Sequence, residues 1–185
     1  MTGYQTIYAD PPWEQGMSGK YKKHSALAGL EYPTMAIEQI KSLPVDNISE
    51  VGCHLWLWTT NQFLRQGFDV MESWGFKYLA PITWVKDSGI GNYFVHRTQT
   101  VLFGYKGKCR FPLARYQPTV FIANHPTKHS QKPETFYDLV ESISPEPRVE
   151  LFARCRRSGW DCWGNEVDSD IDLIGLQKFL LEHKL

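Results

Sequence analysis

The fold of this 185-residue chain is decided near its start, by Gln5-Thr6-Ile7-Tyr8-Ala9-Asp10-Pro11-Pro12-Trp13. Residues 5–9 have the apolar character of a buried strand, and the two prolines end it because they lack the N–H donor that a strand needs. In doubly wound α/β folds, ligands bind just beyond the carboxyl ends of the strands. The Asp10 carboxylate therefore follows the first strand at a position where such a fold carries its function.

Short apolar runs alternate with helical periodicities along the rest of the chain, which indicates an α/β fold. Further strands are predicted at 53–58, at 76–86 with an interruption at Pro81, at 98–105 and at 149–153, with a loop over 87–97. Helices are predicted behind a Thr34 cap (Ile37, Ile40, Leu43), before Gly75 (Leu64, Phe68, Met71, Trp74), after Pro133 (Phe136, Leu139, Val140, Ile143) and over 171–182. We expect one domain spanning residues 1–185, with five to seven strands in a doubly wound, mostly parallel sheet and helices on both faces.

Composition limits the possible functions. The chain is 42% hydrophobic and 22% charged, as in a soluble globular protein, and its formal net charge is zero, so nucleic acid must be bound by local basic patches. No apolar run reaches the ~18 residues that span a membrane, and no signal peptide is recognisable. The four isolated cysteines suggest a reducing cytoplasm, and without a CxxC pair or a histidine cluster we expect no metal site.

The tetrapeptide Asp10 to Trp13 suits one chemical task, the activation of an aromatic amine. Such an amine is a poor nucleophile because its lone pair is delocalised into the ring. Two acceptors, the Asp10 carboxylate and the Pro11 carbonyl, can localise that lone pair by accepting the amine's two hydrogens. Pro12 stiffens the frame, and the flat Trp13 ring is predicted to stack on the base.

Several further blocks recur in a fixed order, and with them the sequence resembles the N6-adenine methyltransferases typified by the catalytic subunit of the eukaryotic mRNA adenosine methyltransferase. The blocks are 9–13, 32–35, 55–59, 84–86, 129–134, 149–154 and 164–165, so that the resemblance covers about 7–167. It implies a Rossmann-like methyltransferase fold in which the catalytic motif precedes the cofactor-binding segments, with S-adenosylmethionine as the cofactor.

The resemblance also implies site residues. Asp10, Pro11, Pro12 and Trp13 match the catalytic motif, and Asp10 also lies near the methionine end of the cofactor. The remaining cofactor residues implied by position are Lys132 at the carboxylate, Asn165 and Glu166 at the ribose hydroxyls, and Arg154, Arg156 and Arg157 along the cofactor. Tyr32 matches an aromatic residue near the target base. Arg156 and Arg157 stand where the family has His-Asn, and Glu166 stands where it has Gln.

Nucleic acid is the expected partner. A base inside a duplex hides its amine, so the enzyme flips it out or uses single strands. Candidate contacts are Lys20, Lys22, Lys23 and His24 in a Gly- and Lys-rich stretch, His96 and Arg97 after the Gly-Asn loop, and Lys106, Lys108, Arg110 and Arg115. A homodimer or a partner subunit could widen this surface.

In its shortness the chain resembles the bacterial and phage-type members of this family, which act mostly on DNA, and the favoured prediction is therefore methyl transfer to N6 of adenine in DNA. Two alternatives stay open: the same reaction on RNA adenosine, and a non-catalytic nucleic-acid-binding partner of the same fold. The intact tetrapeptide from Asp10 to Trp13 disfavours the second alternative. The cationic residues do not separate DNA from RNA, because recognition of the 2′-hydroxyl leaves no sequence signature.

Overall fold

A computed structural model describes residues 3–14, 33–89, 91, 93–109, 111, 116–124, 126 and 131–183. Its strands are β1 (Tyr4–Ala9), β2 (Ser49–Thr59), β3 (Lys77–Val85), β4 (Thr98–Tyr105), β5 (Val120–Ile122), β6 (Arg148–Leu151) and β7 (Asp161–Trp163). Its helices are α1 (Ile37–Lys41), α2 (Val45–Ile48), α3 (Leu64–Ser73), α4 (Glu134–Ile143) and α5 (Leu173–His183), with a 3-10 turn at Asn61–Phe63. Among these described residues, no helix is long and apolar enough to cross a membrane.

The seven strands form one sheet in the order β5-β3-β4-β2-β1-β6-β7. β1 lies between β2 and β6 and is parallel to both, with Ile7 opposite Leu55 and Val149. Only β4, among the described strands, runs antiparallel to its neighbours β2 and β3. The other six strands therefore end at one side of the sheet, which we call the carboxyl edge.

Side chains alternate between two cores along the central strands, because successive residues of a strand point to opposite faces. On one face, Leu55 and Leu57 of β2 pack with the core that contains buried residues of α1, α3 and α5. On the other face, Trp56 and Trp58 pack with buried residues of α4, and the Trp58 ring lies 4.8 Å from that of Phe136. Helices on both faces of a mostly parallel sheet confirm the predicted fold class.

Two of the predicted local features differ from the structure. α1 begins at Ile37 with Ala36 as its N-cap, and the Gln39 side chain, rather than Thr34, accepts a hydrogen bond at that end, from the Ala36 N–H at 2.9 Å. Pro81 does not interrupt β3, because β5 pairs with β3 only from Thr83 onwards, so that no strand needs the missing N–H of Pro81 on that side. The Gly75 prediction is confirmed: its φ of 77° ends α3.

Candidate active site

Asp10 follows the last residue of β1 at the carboxyl edge, and the two prolines that follow it are fixed by backbone hydrogen bonds. The Pro11 carbonyl accepts from the Trp13 N–H, and the Pro12 carbonyl accepts from the Met35 N–H, each at 2.9 Å. The Pro11 carbonyl, which we expected to accept from the amine, thus already has a backbone donor. A carbonyl oxygen has two lone pairs, so Pro11 keeps one acceptor position.

Trp13 is part of the core, which contradicts our expectation that its ring is open to a base. The residue is 5% exposed, and its ring stacks on Phe63 with the centroids 5.6 Å apart and an interplanar angle of 13°. Its Nε1 donates to the Trp58 carbonyl at 3.2 Å. Trp13 therefore anchors the tetrapeptide to the ends of β2 and the 3-10 turn.

Lys132 brings a cation to Asp10 across 122 residues of sequence. Its Nζ donates to the Asp10 Oδ2, and the side chains are 7% and 24% exposed, respectively. The same Nζ lies 5.0 Å from the centroid of the Trp58 ring. A lysine held between a carboxylate and an aromatic face lies in a defined position, because both neighbours attract its charge.

Two cavities meet at Asp10 and share Phe152, Arg154 and Glu166 in their walls, so they form one groove along the carboxyl edge, which we call the Asp10 groove. The larger cavity, of about 260 Å³, also has Lys132 in its wall. The smaller, of about 80 Å³, includes Asn165. The loops after β6 and β7 that form this wall are joined by a hydrogen bond from the Ala153 N–H to the Trp163 carbonyl at 2.9 Å.

Phe152 has a positive φ of 65°, which is strained for a phenylalanine and turns the chain sharply after β6. Phe152 lines both cavities of the groove. Its ring packs against that of Trp163, with the ring centroids 5.3 Å apart. Strain of this kind persists only where the surroundings impose it, and it is frequent at ligand sites.

A buried acid lies in the wall of the larger cavity. Glu150 of β6 is 8% exposed and accepts a hydrogen bond from the Tyr137 hydroxyl at 2.9 Å, and Tyr137 stacks on Tyr8 at 4.7 Å. Burial raises the pKa of Glu150 to about 7, although the Tyr137 hydrogen bond and the charge of Arg157 oppose that shift. The negative charge of Asp10 raises the pKa of Glu150 further.

The three arginines that we assigned to the cofactor are placed differently. Arg154 lies in both walls of the groove, and its Nε is 3.7 Å from a carboxylate oxygen of Glu166. Arg156 instead pairs with Asp170 at 2.6 Å, and its side chain is 55% exposed. Arg157 pairs with Glu134, and its guanidinium lies 3.7 Å from the centre of the Tyr137 ring. Arg157 therefore packs against Tyr137, which lines the larger cavity, and Arg156 binds Asp170 in the loop after β7.

Of the predicted nucleic-acid contacts, His96 and Arg97 lie at the end of the loop between β3 and β4. The His96 Nδ1 is 3.1 Å from the Asn61 Nδ2, and the Arg97 guanidinium donates twice to the Lys86 carbonyl, at 3.1 and 2.9 Å. Lys106 instead pairs with Asp46 at 2.6 Å, beside the start of β2 and away from the groove. Tyr32, Lys20, Lys22, Lys23, His24, Arg110 and Arg115 lie outside the described residues.

Four residues that line the groove were not among the sequence-based site predictions: Glu150, Tyr137, Tyr8 and Phe152. Glu150 could have been predicted as a site residue, because it lies between Val149 and Leu151 in an apolar strand. A carboxylate at such a position is buried, and buried carboxylates are rare unless they are paired. The aromatic residues carried none, since an apolar ring in a strand or helix is most often part of the core.

The groove has the donors and acceptors that S-adenosylmethionine needs. Lys132 offers a cation to a carboxylate, Asp10 offers an acceptor to an ammonium group, and Asn165 and Glu166 offer acceptors to a ribose diol. Doubly wound folds bind their ligands at the carboxyl ends of the strands. A groove of this composition at that position is typical of Rossmann-like, S-adenosylmethionine-dependent methyltransferases.

Comparison with known proteins gives the family. The MT-A70 family profile matches residues 4–166. The chain is 32% identical to the type II methyltransferase M.MunI of Mycoplasma sp. over 92% of its own length and 81% of the relative. It is 32% identical to a probable N(6)-adenosine-methyltransferase MT-A70-like protein of Oryza sativa subsp. japonica and 26% identical to the human N(6)-adenosine-methyltransferase catalytic subunit METTL3. Each match covers 89% of the chain, but only 23% and 28% of the relatives.

The chain belongs to the MT-A70 family. It is an adenine methyltransferase, and S-adenosylmethionine is its methyl donor.

Proposed function

We propose that this protein transfers a methyl group from S-adenosylmethionine to the exocyclic N6 amine of adenine in DNA. The observation that supports this most directly is the Asp10–Lys132 pair after the end of β1, inside the Asp10 groove. The likeness to M.MunI, a type II methyltransferase that the chain matches over most of both lengths, favours DNA.

Within the groove, we assign the cofactor ends by charge. Lys132 binds the carboxylate of the methionine part, with the help of the N-terminal turn of α4, which begins two residues later at Glu134. Asp10 binds the ammonium group, and Asn165 and Glu166 bind the ribose hydroxyls. The cofactor supplies an electrophilic methyl group on a sulfonium. Phe152 and Arg154 line the sides of the groove.

On the acceptor side, two oxygens hold the amine. Lys132 contacts the Oδ2 of Asp10, and we assign the Oδ1 and the second lone pair of the Pro11 carbonyl to the two hydrogens of the adenine amine. Two acceptors in a rigid frame turn the nitrogen lone pair toward the methyl group, and such positioning lowers the barrier because little reorganisation remains. Once the methyl group is transferred, the nitrogen is cationic and strongly acidic, and its proton leaves through Asp10.

We assign the approach of the nucleic acid to the same edge of the sheet. His96 contacts Asn61, which lies in the same 3-10 turn as the Phe63 ring that covers Trp13, and Arg97 is the next residue. Tyr32 and the lysines at 20, 22 and 23 complete this surface in our proposal, and a second copy or a partner subunit would extend it. We place the reaction in the cytoplasm, where its free cysteines, including the exposed Cys155, stay reduced.

The test is methyl transfer from labelled S-adenosylmethionine to matched single-stranded DNA, duplex DNA and RNA of one adenine-containing sequence, followed by nucleoside mass spectrometry. We expect N6-methyldeoxyadenosine in at least one DNA arm. Label in the RNA arm alone would transfer the assignment to RNA adenosine. The absence of label in all arms, from protein that binds the cofactor, would support the non-catalytic alternative.

A further inference from the structure

Two aromatic rings project into solvent from the loop that joins β3 to β4. Tyr93 is 97% exposed and Phe94 is 79% exposed, and the next residue, Val95, is 60% exposed. Isolated apolar residues at a surface are ordinary, whereas a contiguous exposed apolar patch is typical of an interaction site.

In the described part of this loop, several close contacts join its two ends and leave the two rings exposed to solvent. The Arg97 guanidinium clamps the two ends together through the Lys86 carbonyl, and the Lys86 N–H donates to the Arg97 carbonyl at 2.8 Å. The loop then folds closely on itself, because a Cβ at Gly89 would lie 2.5 Å from the His96 carbonyl oxygen and one at Gly91 would collide with the Phe94 carbonyl. A loop that is fixed in this way presents its rings with little loss of entropy on binding.

One end of the loop contacts the 3-10 turn that supports the tetrapeptide, and the other end lies near Lys132. On one side, His96 contacts Asn61, beside the Phe63 ring that stacks on Trp13. On the other side, burial and the charge of nearby Lys132 lower the pKa of Lys86. The Nζ of Lys86 lies 5.5 Å from the Trp84 ring, and the edges of Trp84 and Trp58 meet at 5.9 Å. The loop that carries the rings therefore begins and ends at residues near the elements that support the tetrapeptide, with Lys86 at one end and Arg97 at the other.

We infer that Tyr93 and Phe94 form a stacking platform for the unpaired bases that flank the target adenine. The inference rests on the proposed function, because it is the methylated strand that the platform holds. Exposed aromatic rings on a loop that also carries Lys86 and Arg97 suit a single strand, whose bases stack on rings while its phosphates meet cations.

The platform can be tested by binding and fluorescence, independently of turnover. An oligonucleotide carries 2-aminopurine beside the target adenine, and its fluorescence is quenched when the reporter base stacks on a ring. We expect wild-type protein to quench the reporter, and the double variant Tyr93→Ala/Phe94→Ala to quench it less and to bind single-stranded DNA ~10-fold to ~100-fold more weakly. The ring-preserving variant Tyr93→Phe/Phe94→Tyr should retain wild-type binding.

Tyr116→Ala is the matched control, because Tyr116 is 98% exposed and lines a separate apolar cavity beside Leu79 and Ile143. All variants should bind S-adenosylmethionine as the wild type does. Equal quenching and affinity in the alanine variant would overturn the inference. A change in sedimentation with unchanged nucleic-acid binding would also overturn it, by assigning the rings to a protein contact. Wild-type quenching without any methylated adenine would refute the proposed function but leave the platform standing.

Discussion

Asp10 and Lys132 form the pair on which the site depends. Each is polar and mostly buried, and each partner makes the burial of the other tolerable, because an unpaired charge in this position would be costly. The pair also gives Asp10 a fixed orientation, with one carboxylate oxygen facing the lysine. In our proposal, the other carboxylate oxygen accepts a hydrogen bond from the adenine amine.

We predict that Asp10→Asn leaves the fold intact and lowers the rate of methyl transfer at least ~100-fold, because an amide replaces one of two acceptors that orient the amine. Single-turnover transfer to an adenine oligonucleotide measures the rate, and the circular dichroism spectrum reports the fold. Asp69→Asn, on the exposed surface of α3, is the control and should turn over normally. Near-normal transfer in Asp10→Asn would remove Asp10 from the chemistry.

Glu150 makes stability depend on pH. Its pKa is about 7 in the folded chain and 4.5 ordinarily, so between these values the folded chain keeps a proton that the unfolded chain has lost. The free energy of unfolding contributed by Glu150 therefore falls as pH rises through that window and levels off above it. Removing the carboxylate should remove this dependence.

We predict that Glu150→Gln gains stability relative to the wild type by on the order of 1–3 kcal/mol between about pH 5 and about pH 8. Glutamine keeps an acceptor for the Tyr137 hydroxyl. Urea unfolding at several pH values measures the difference, and Glu72→Gln, on the surface of α3, serves as control. Parallel stability curves for wild type and variant would show that the raised pKa has no energetic consequence.

At the scale of elements, α3 lies unusually close to the sheet. Gly67, in the middle of the helix, faces Thr59 at the end of β2 and Leu102 in β4, and a Cβ at this position would collide with the Thr59 methyl group and lie 3.1 Å from Leu102 Cδ1. This close approach holds the carboxyl end of β2 in place. Trp58 at that end and Phe63 in the 3-10 turn that follows it support Trp13 and Lys132.

We predict that Gly67→Ala destabilises the protein by ~1–3 kcal/mol through overpacking. On helix propensity alone the same change would stabilise by up to ~1 kcal/mol, so the sign of the effect distinguishes packing from propensity. Chemical denaturation gives the value, and Glu72→Ala, exposed on the same helix, should stay within ~0.5 kcal/mol of the wild type. A stabilised Gly67→Ala would mean that α3 is not held against the sheet.

At the scale of the whole molecule, the groove joins segments that are distant in the sequence. Asp10 follows β1, Lys132 precedes α4, Phe152 follows β6, and Asn165 follows β7. A ligand that contacts all four segments binds only the folded chain. Cofactor binding must therefore stabilise the whole fold by mass action.

We predict that S-adenosylmethionine at ~100 times its Kd raises the free energy of unfolding by ~2.7 kcal/mol, which appears as a higher Tm. Lys132→Met, which keeps an apolar stem over Trp58 and removes the charge, should weaken cofactor binding ~10-fold or more and reduce the rise in Tm at the same concentration. Lys178→Met, exposed on α5, should respond as the wild type does. An unchanged cofactor Kd in Lys132→Met would refute the carboxylate assignment.

The sequence by itself determined what depends on neighbours along the chain. Alternating apolar runs and helical stripes predicted the doubly wound sheet, and the prolines after β1 located the Asp10 carboxylate at a strand end, because φ restriction and hydrophobic periodicity act within a few residues. The ordered motifs also predicted Lys132, Asn165 and Glu166, each of which lines the groove.

Only the tertiary structure decided which side chains meet. It buried the Trp13 ring on Phe63, placed Arg157 over Tyr137, paired Arg156 with Asp170, and brought Glu150 near Asp10. These contacts join residues up to 140 positions apart, and the pair of Lys132 and Asp10 spans 122. Local propensity carries no information about such pairs, because their distances follow from the order of strands in the sheet and from packing on its two faces.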